Sequence, residues 1–426
     1  MLRIKGARVL CPDSGLDQVM DILLEEGKVA AMGNGLPEQE GETVIDARGL
    51  CVAPGLIDVH VHFRDPGQTH KETIQTGAEA AKKGGFTTVI TMANTKPPVD
   101  NVETLQYVRE EGKKTGIHVL PAACITKGMA GKELTDLEAL CQAGAAGFTD
   151  DGIPLLDSGL CRKAMEWGRK LHKPLSFHEE DPAFIGENGI NRGKASERLG
   201  IFGSPAVAED SLVARDCMLA LDTGAKVNIQ HISSKNAVAM VRLAKSLGAH
   251  VTAEVTPHHF TLTEEAVAQH GAMAKMNPPL RTEEDRQALI EGLKDGTIDM
   301  IATDHAPHSQ EEKGTEPLWK APSGIIGLET ALALGITELV EKGHLTLVQL
   351  MEKMSLAPAR LYDLDAGYLA AGGPADLVLF DPCESWEVTE EELRSRSKNT
   401  PFLGRCLTGR VKYTICQGKV VYAHQD

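Results

Sequence analysis

An α/β fold is predicted: a closed (β/α)8 barrel with a small composite β-sandwich domain built from both chain ends. Three observations predict it. Eight short apolar runs occupy the middle of the chain, helical stretches separate many of them, and both termini share a texture of short alternating segments. From Met1 to about Pro54, "LRIKGARVL", "DILLEEGKVAAMG" and "TVIDARGLCVAPG" are divided by Gly, Asp and Pro, as in small antiparallel strands. The same pattern returns in "ADLVLFDP" and "GRVKYTICQGKVVY". Residues 1–54 and 366–426 are therefore expected to make one split sheet domain beside a barrel spanning 55–365.

The eight runs are "LIDVHVHF", "TTVITMAN", "IHVLPAA", "AAGFTDD", "PLSFHEE", "KVNIQHIS", "HVTAEVTPHH" and "IDMIATDH". Continuous apolar strands alternating with helices imply a parallel sheet covered on its faces. A count of eight favours a closed barrel over an open doubly wound sheet. Stretches after the eighth run, "LETALALGITELVEKG" and "TLVQLMEKMSLAPARLY", would complete the ring of helices.

Composition narrows the function. The 426 residues are 42% hydrophobic with a formal net charge of −16, which gives no basic patch for nucleic acid or an anionic membrane surface, so neither is expected as a partner. Any anionic substrate must meet a local positive pocket. Nine cysteines with no C-x-x-C pair read as reduced, packed thiols and place the protein in the cytoplasm. The start "MLRIKGARVLCPDSG" lacks an apolar signal core, and no run reaches the roughly 18 apolar residues of a membrane span. "AAGGPAD" lacks a phosphate-binding pattern.

The run ends carry the chemistry. Run one ends in His60 and His62, run four in Asp150 and Asp151, run five in His178, run six in His231, and run eight in Asp304 and His305. In a barrel these ends converge on the face where active sites form, and residues at i and i+2 share a side of their strand. Imidazoles with carboxylates suit a zinc site of one or two ions. A lone strand-end histidine is more often structural, but recurrence at five of eight ends reverses that balance. Asp150 and Asp151 could instead be a turn before Gly152, with only one a ligand. The spacing of His258, His259 and His305 does not force them into the set.

"DVHVHFRDPG", "FTDDG", "FHEE", "QHIS", "EVTPHH", "MNPPLR" and "ATDHAPH" together resemble dihydroorotase of the bacterial type, within the amidohydrolase superfamily, over nearly the whole chain. The resemblance implies that His60, His62 and Asp304 hold one Zn2+, that His178 and His231 hold a second, and that Asp151 bridges them. "GAAGFTDDG" has no lysine where many cyclic amidohydrolases carry a carbamylated one, so Asp151 fills that place as in lysine-free dihydroorotases. The matching substrate positions are Arg64, Asn94, Asn277 and His308. At Ser323 family members often carry a larger residue.

The implied reaction is the reversible zinc-dependent cyclisation of N-carbamoyl-L-aspartate to L-dihydroorotate in pyrimidine biosynthesis. It needs an activated water, a polarised carbonyl and an acid for the leaving nitrogen, which a metal and Asp304 would supply. Arg64, two residues beyond the ligands, offers a planar fork for the substrate carboxylate. The bland reading of Arg64 is a surface pair with Asp65, worth little. Alternatives are a hydantoinase, dihydropyrimidinase or allantoinase, whose uncharged rings would not need Arg64, and a non-catalytic scaffold for aspartate transcarbamoylase. All six ligands are present, which argues for an enzyme. The resemblance also implies a homo-oligomer, a dimer, and allows a complex with aspartate transcarbamoylase. "HAPHSQEEKGTEPLWKAPSG", long, polar and without helical periodicity, reads as an active-site lid or as a disordered surface loop.

Overall fold

The computed structural model describes residues 1–37, 40–186 and 189–425. All eight predicted runs are parallel strands: β6 (Leu56–Val61), β7 (Phe86–Thr91), β8 (His118–Pro121), β9 (Phe148–Thr149), β10 (Leu175–Phe177), β11 (Val227–Ile229), β12 (Val251–Val255) and β13 (Met300–Ile301). β6 to β8 form one ladder and β9 to β13 another. Single parallel bridges join them at both seams, Ala123 to Phe148 and Val61 to His305. At the second seam the His62 N–H donates to the His305 carbonyl at 2.8 Å. These short contacts complete the ring, and the second sets the first and eighth strand ends side by side where their site-bearing loops begin.

The strands read as unbroken apolar runs because both faces are covered. β6, β7 and β10 are buried throughout, and the core between strands and helices is filled by Leu56, Phe86, Val89, Phe148, Leu175 and Ile229. Burying each such side chain contributes on the order of 1.5–3 kcal/mol. The helices are punctuated as their sequence demands. Thr73 and Thr76 form a capping box before the helix Ile74–Lys83, and Asn101 caps Val102–Lys113. The last predicted helices appear as Ala331–Gly335 and Leu347–Met351, each running into a wider π turn.

The chain ends meet in one eight-stranded sheet. It contains β1 (Leu2–Cys11), β2 (Leu16–Glu25), β3 (Lys28–Gly33), β4 (Thr43–Asp46) and β5 (Cys51–Pro54) from the N-terminus. The C-terminus supplies β14 (Leu377–Glu387), β15 (Cys406–Cys416) and β16 (Lys419–Ala423). β5 pairs β14, and Ile4, Val9, Ile22, Leu377 and Ile415 share a core separate from that of the barrel. The expectation of purely antiparallel strands needs correction. β4 and β5 run parallel to β1, on either side of a register break between Ile4 and Ala7, because the chain crosses over after β3 rather than turning back as a hairpin. The remaining pairings of this sheet are antiparallel.

Candidate active site

The ends of β6, β9, β10, β11 and β13 bring His60, His62, Asp151, His178, His231 and Asp304 into one buried group. Asp151 lies at its centre. Its Oδ1 is 3.3 Å from His60 Nε2, 3.7 Å from His178 Nδ1 and 3.6 Å from His231 Nε2, and its Oδ2 is 3.3 Å from His62 Nε2. Asp304 Oδ1 is 2.9 Å from His62 Nε2 and 3.4 Å from His60 Nε2. The ambiguity at Asp150 resolves structurally. Its Oδ1 accepts the backbone N–H groups of Ile125 and Thr126, so it ties down the loop after β8 while Asp151 faces the histidines.

The donor set fits a metal ion. His60 Nδ1 lies 2.5 Å from Glu254 Oε1, a bond that makes Nδ1 the donor and turns Nε2 toward Asp151 and Asp304, where a bound cation would take its lone pair. His60 Nε2 and Asp151 Oδ1 are both buried without a hydrogen-bond partner among the described residues. Buried polar atoms are rarely left so, and two facing each other mark the place of a cation. His62 is oriented the same way, its Nδ1 2.9 Å from Asn94 Oδ1. Electrostatics agree. Burial opposes ionisation of Asp304, but the His60 and His62 imidazoles outweigh it and hold the carboxyl well below the usual range. Against the same cost, His60 and its neighbours hold Asp151 low. Both acids are carboxylates at neutral pH.

Three site residues adopt left-handed backbone: Arg64 (φ 57°), His231 (φ 33°) and Asp304 (φ 47°). Such conformations cost about 1–3 kcal/mol each and cluster where side-chain direction matters. In "FRDPG", Gly67 has φ 90° and a Cβ there would lie 1.8 Å from the Lys96 carbonyl oxygen, so the turn that presents Arg64 admits only glycine.

A cavity of about 180 Å³ opens above the group. Its walls include every predicted site residue except His60, which lies beneath. Arg64 is buried, donates its Nε to the Pro307 carbonyl at 3.3 Å, and makes no ion pair with any described residue. Asp65 instead accepts from the Tyr107 hydroxyl at 2.9 Å, so the bland Arg64–Asp65 pair is not formed. His308 Nε2 is 3.4 Å from Arg64 Nη2, and its Nδ1 is 3.4 Å from Lys71 Nζ. Burial, then these two cations, keep its imidazole neutral. Asn94 also donates to the Asp151 carbonyl, so it braces the ligands as well as lining the wall. Asn277 accepts from Ser323 Oγ at 3.0 Å, which places Ser323 on the cavity wall.

The predicted lid, 305–324, carries a short helix, Gln310–Lys313, capped by Ser309 and Glu312. Two buried lysines, Lys313 of the lid and Lys275 of the loop bearing Asn277, hold it down. Lys313 Nζ donates to the carbonyls of Ala272 and Pro322 at 2.8 and 2.9 Å, and Lys275 Nζ to those of Trp319 and Ala321 at 2.8 and 2.5 Å. The lid and the loop bearing Asn277 are thereby cross-tied.

Sequence reasoning missed Glu254 and Asp58. Glu254 holds His60 and accepts from Asn228 Nδ2 at 2.9 Å. Asp58 accepts the His60 N–H and, through Oδ2, the Thr303 hydroxyl at 2.5 Å, fastening the first strand end to the eighth. The signal for both was a carboxylate inside an apolar run, and Asp58 continues the i, i+2 pattern of His60 and His62. Of the three histidines left out of the set, His259 is held by Thr256 and the Pro278 carbonyl, and His305 by Glu72 and the Gly327 N–H. His258 Nε2 is buried and unpartnered among the described residues.

Residues 49–237 match the family model described as dihydro-orotase-like. The chain is 58% identical to a dihydroorotase of Clostridioides difficile over 422 residues, 99% of this chain and 100% of that one. It is 53% identical to a dihydroorotase of Streptococcus pneumoniae, with the same coverage. The chain belongs to the dihydroorotase family. Among solved structures, an L-hydantoinase (dihydropyrimidinase) from Arthrobacter aurescens matches with a TM-score of 0.90 and 27% identity, covering 100% of this chain and 96% of that one. The barrel with its composite β domain is thus shared with that hydantoinase, whereas the full-length sequence likeness selects dihydroorotase. A metal-dependent cyclic amidohydrolase with a small-molecule substrate follows. Among the described residues, no helix is long and apolar enough to cross a membrane.

Proposed function

We propose that this dihydroorotase interconverts L-dihydroorotate and N-carbamoyl-L-aspartate in pyrimidine biosynthesis, with His60, His62, Asp151, His178, His231 and Asp304 holding one or two Zn2+ ions. The observation that carries the reading is Arg64: a buried guanidinium without an ion-pair partner among the described residues, on the wall of the cavity that the carboxylate–histidine group floors. In an acidic protein, an uncompensated cation at that point calls for an anionic ligand. The fold likeness to hydantoinases supports the uncharged-ring alternative only at the level of architecture, and it gives Arg64 no task.

When bound, the metal would supply a Lewis acid for the ring carbonyl and acidify a water to a pKa of about 7. Asp304, ionised and directed at the same floor, takes the proton of the attacking water and returns it to the ring nitrogen as the C–N bond breaks. In the closing direction it removes a proton from the ureido nitrogen. Arg64, beside the neutral His308, fixes the substrate carboxylate, and Asn94 and Asn277 orient the ring's polar groups. Zinc is preferred because imidazoles with a minority of carboxylates match its ligand chemistry. The unpaired cysteines support a cytoplasmic location. A homodimer, and assembly with aspartate transcarbamoylase, belong to the same proposal through the family.

Turnover in both directions by an Asp304→Asn variant tests the assignment. The expected result is a loss of at least about 10²-fold in each direction, with the circular dichroism of the folded chain retained. Activity within a few-fold of the parent would remove Asp304 from the proton path.

A further inference from the structure

We propose that Asn399, in the stretch between β14 and β15, is a positioning residue of the carboxylate subsite. The side chain is 1% exposed and fully engaged. Its Nδ2 donates to the carbonyls of Ala306 and Gly324 at 2.9 and 3.0 Å, and its Oδ1 accepts the His308 N–H at 3.0 Å. The Asn399 carbonyl accepts the Ile326 N–H at 3.0 Å. One residue therefore clips together both ends of the lid, 305–324, and fixes the backbone of His308.

The clip has no slack. Gly324 has φ 152°, and a Cβ there would meet the Ala306 carbonyl oxygen at 2.6 Å and His308 Cδ2 at 2.7 Å, so the two lid ends touch beside the imidazole. Only a primary amide offers two donors and an acceptor at this reach. Aspartate would leave two buried carbonyls without donors and set a negative charge against the anion subsite.

The neighbouring residues extend the arrangement. Ser395 Oγ bonds Glu72, the Arg396 N–H donates to Glu72 at 3.1 Å, and Ser397 Oγ donates to the Lys71 carbonyl at 2.7 Å. Glu72 faces His305, and Lys71 Nζ faces His308. The stretch 395–399 thus fastens His308 from behind and the backbone of Lys71 from the side. Through these contacts the segment that links β14 to β15 sets the geometry in which Arg64 and His308 meet the substrate. Asn399 itself does not line the cavity.

The inference rests on the reading of Arg64 and His308 as the carboxylate subsite, so the test separates the two. Steady-state kinetics on L-dihydroorotate, with bound metal measured in every preparation, would be compared for Asn399→Asp, Asn399→Ser and His308→Ala. The expected result for both Asn399 variants is a KM raised roughly tenfold or more, with kcat within about threefold and metal content unchanged. A mere brace of the fold would lower the melting temperature and the active fraction while leaving KM in place, and that outcome overturns the proposal. If one Asn399 variant does not fold, the other decides. A His308→Ala protein with unchanged KM would overturn the subsite reading itself, and the inference with it.

Discussion

Arg64 is held in place by backbone more than by side-chain partners. Its left-handed φ, the glycine-only turn behind it and the contacts to the Pro307 carbonyl and His308 Nε2 aim a guanidinium at a cavity wall where it makes no ion pair with any described carboxylate. An isolated buried cation is costly unless a ligand pairs with it. Arg64→Ala should therefore lower kcat/KM for L-dihydroorotate by roughly 10²–10³-fold, the equivalent of about 3–4 kcal/mol. Any side activity on dihydrouracil should stay within a few-fold. Equal losses on both rings would make Arg64 a structural residue. His60 shows the complementary case, a ligand aimed by a neighbour. Glu254 sits 194 residues away in sequence and fixes which imidazole nitrogen is free. Glu254→Leu should weaken zinc binding about 10–100-fold, read by competition with a chromophoric chelator. An unchanged affinity would leave Glu254 as packing.

The lid shows what an element hides from its sequence. "HAPHSQEEKGTEPLWKAPSG" reads as polar and irregular, and nothing in it sets Lys313 apart from Lys320. In the fold, Lys313 is 3% exposed and Lys275 2%, each donating to carbonyls of the neighbouring segment. Nothing local in the sequence signals this, because the partners lie about 40 residues apart. Burial, then the charges of Lys275 and Arg64, lower the Lys313 ammonium to about 7. A lysine depressed in the folded state opposes folding in full below pH 7, and the penalty fades as pH rises from 7 toward the unfolded value of 10.5. The parent should gain stability relative to Lys313→Met between pH 7 and 9, by up to about 1.4 kcal/mol per pH unit. Denaturant titrations at the two pH values measure it; parallel behaviour of the two proteins would mean that Lys313 stays charged.

At the scale of the molecule, the barrel was legible because each strand of a covered parallel sheet is an apolar run, and five of the eight runs end in histidines or aspartates that packing does not call for. All eight strands and the cavity-facing group lay in that pattern. The direction of β4 and β5 did not, since hydrophobic alternation reports a strand's faces and not its neighbour. Nor did the choice between Asp150 and Asp151, which depends on the backbone N–H groups of Ile125 and Thr126 on the adjacent strand end. The supporting acids Glu254 and Asp58 stood out only as carboxylates inside apolar runs, and their task appears with their partners, His60 and Thr303. The composite sheet extends its influence beyond its own core by sending the 395–399 stretch to the catalytic face.

The central claim is that one carboxylate–histidine floor and one unpaired guanidinium make a metal-dependent enzyme for a carboxylate-bearing cyclic amide. Hydrolysis of L-dihydroorotate by the purified chain, before and after chelation and again after adding zinc, with dihydrouracil and hydantoin alongside, tests it most directly. The account predicts turnover of L-dihydroorotate that chelation removes and zinc restores, with the uncharged rings slower by orders of magnitude. Comparable rates on the uncharged rings, or full activity in the chelated protein, would contradict it.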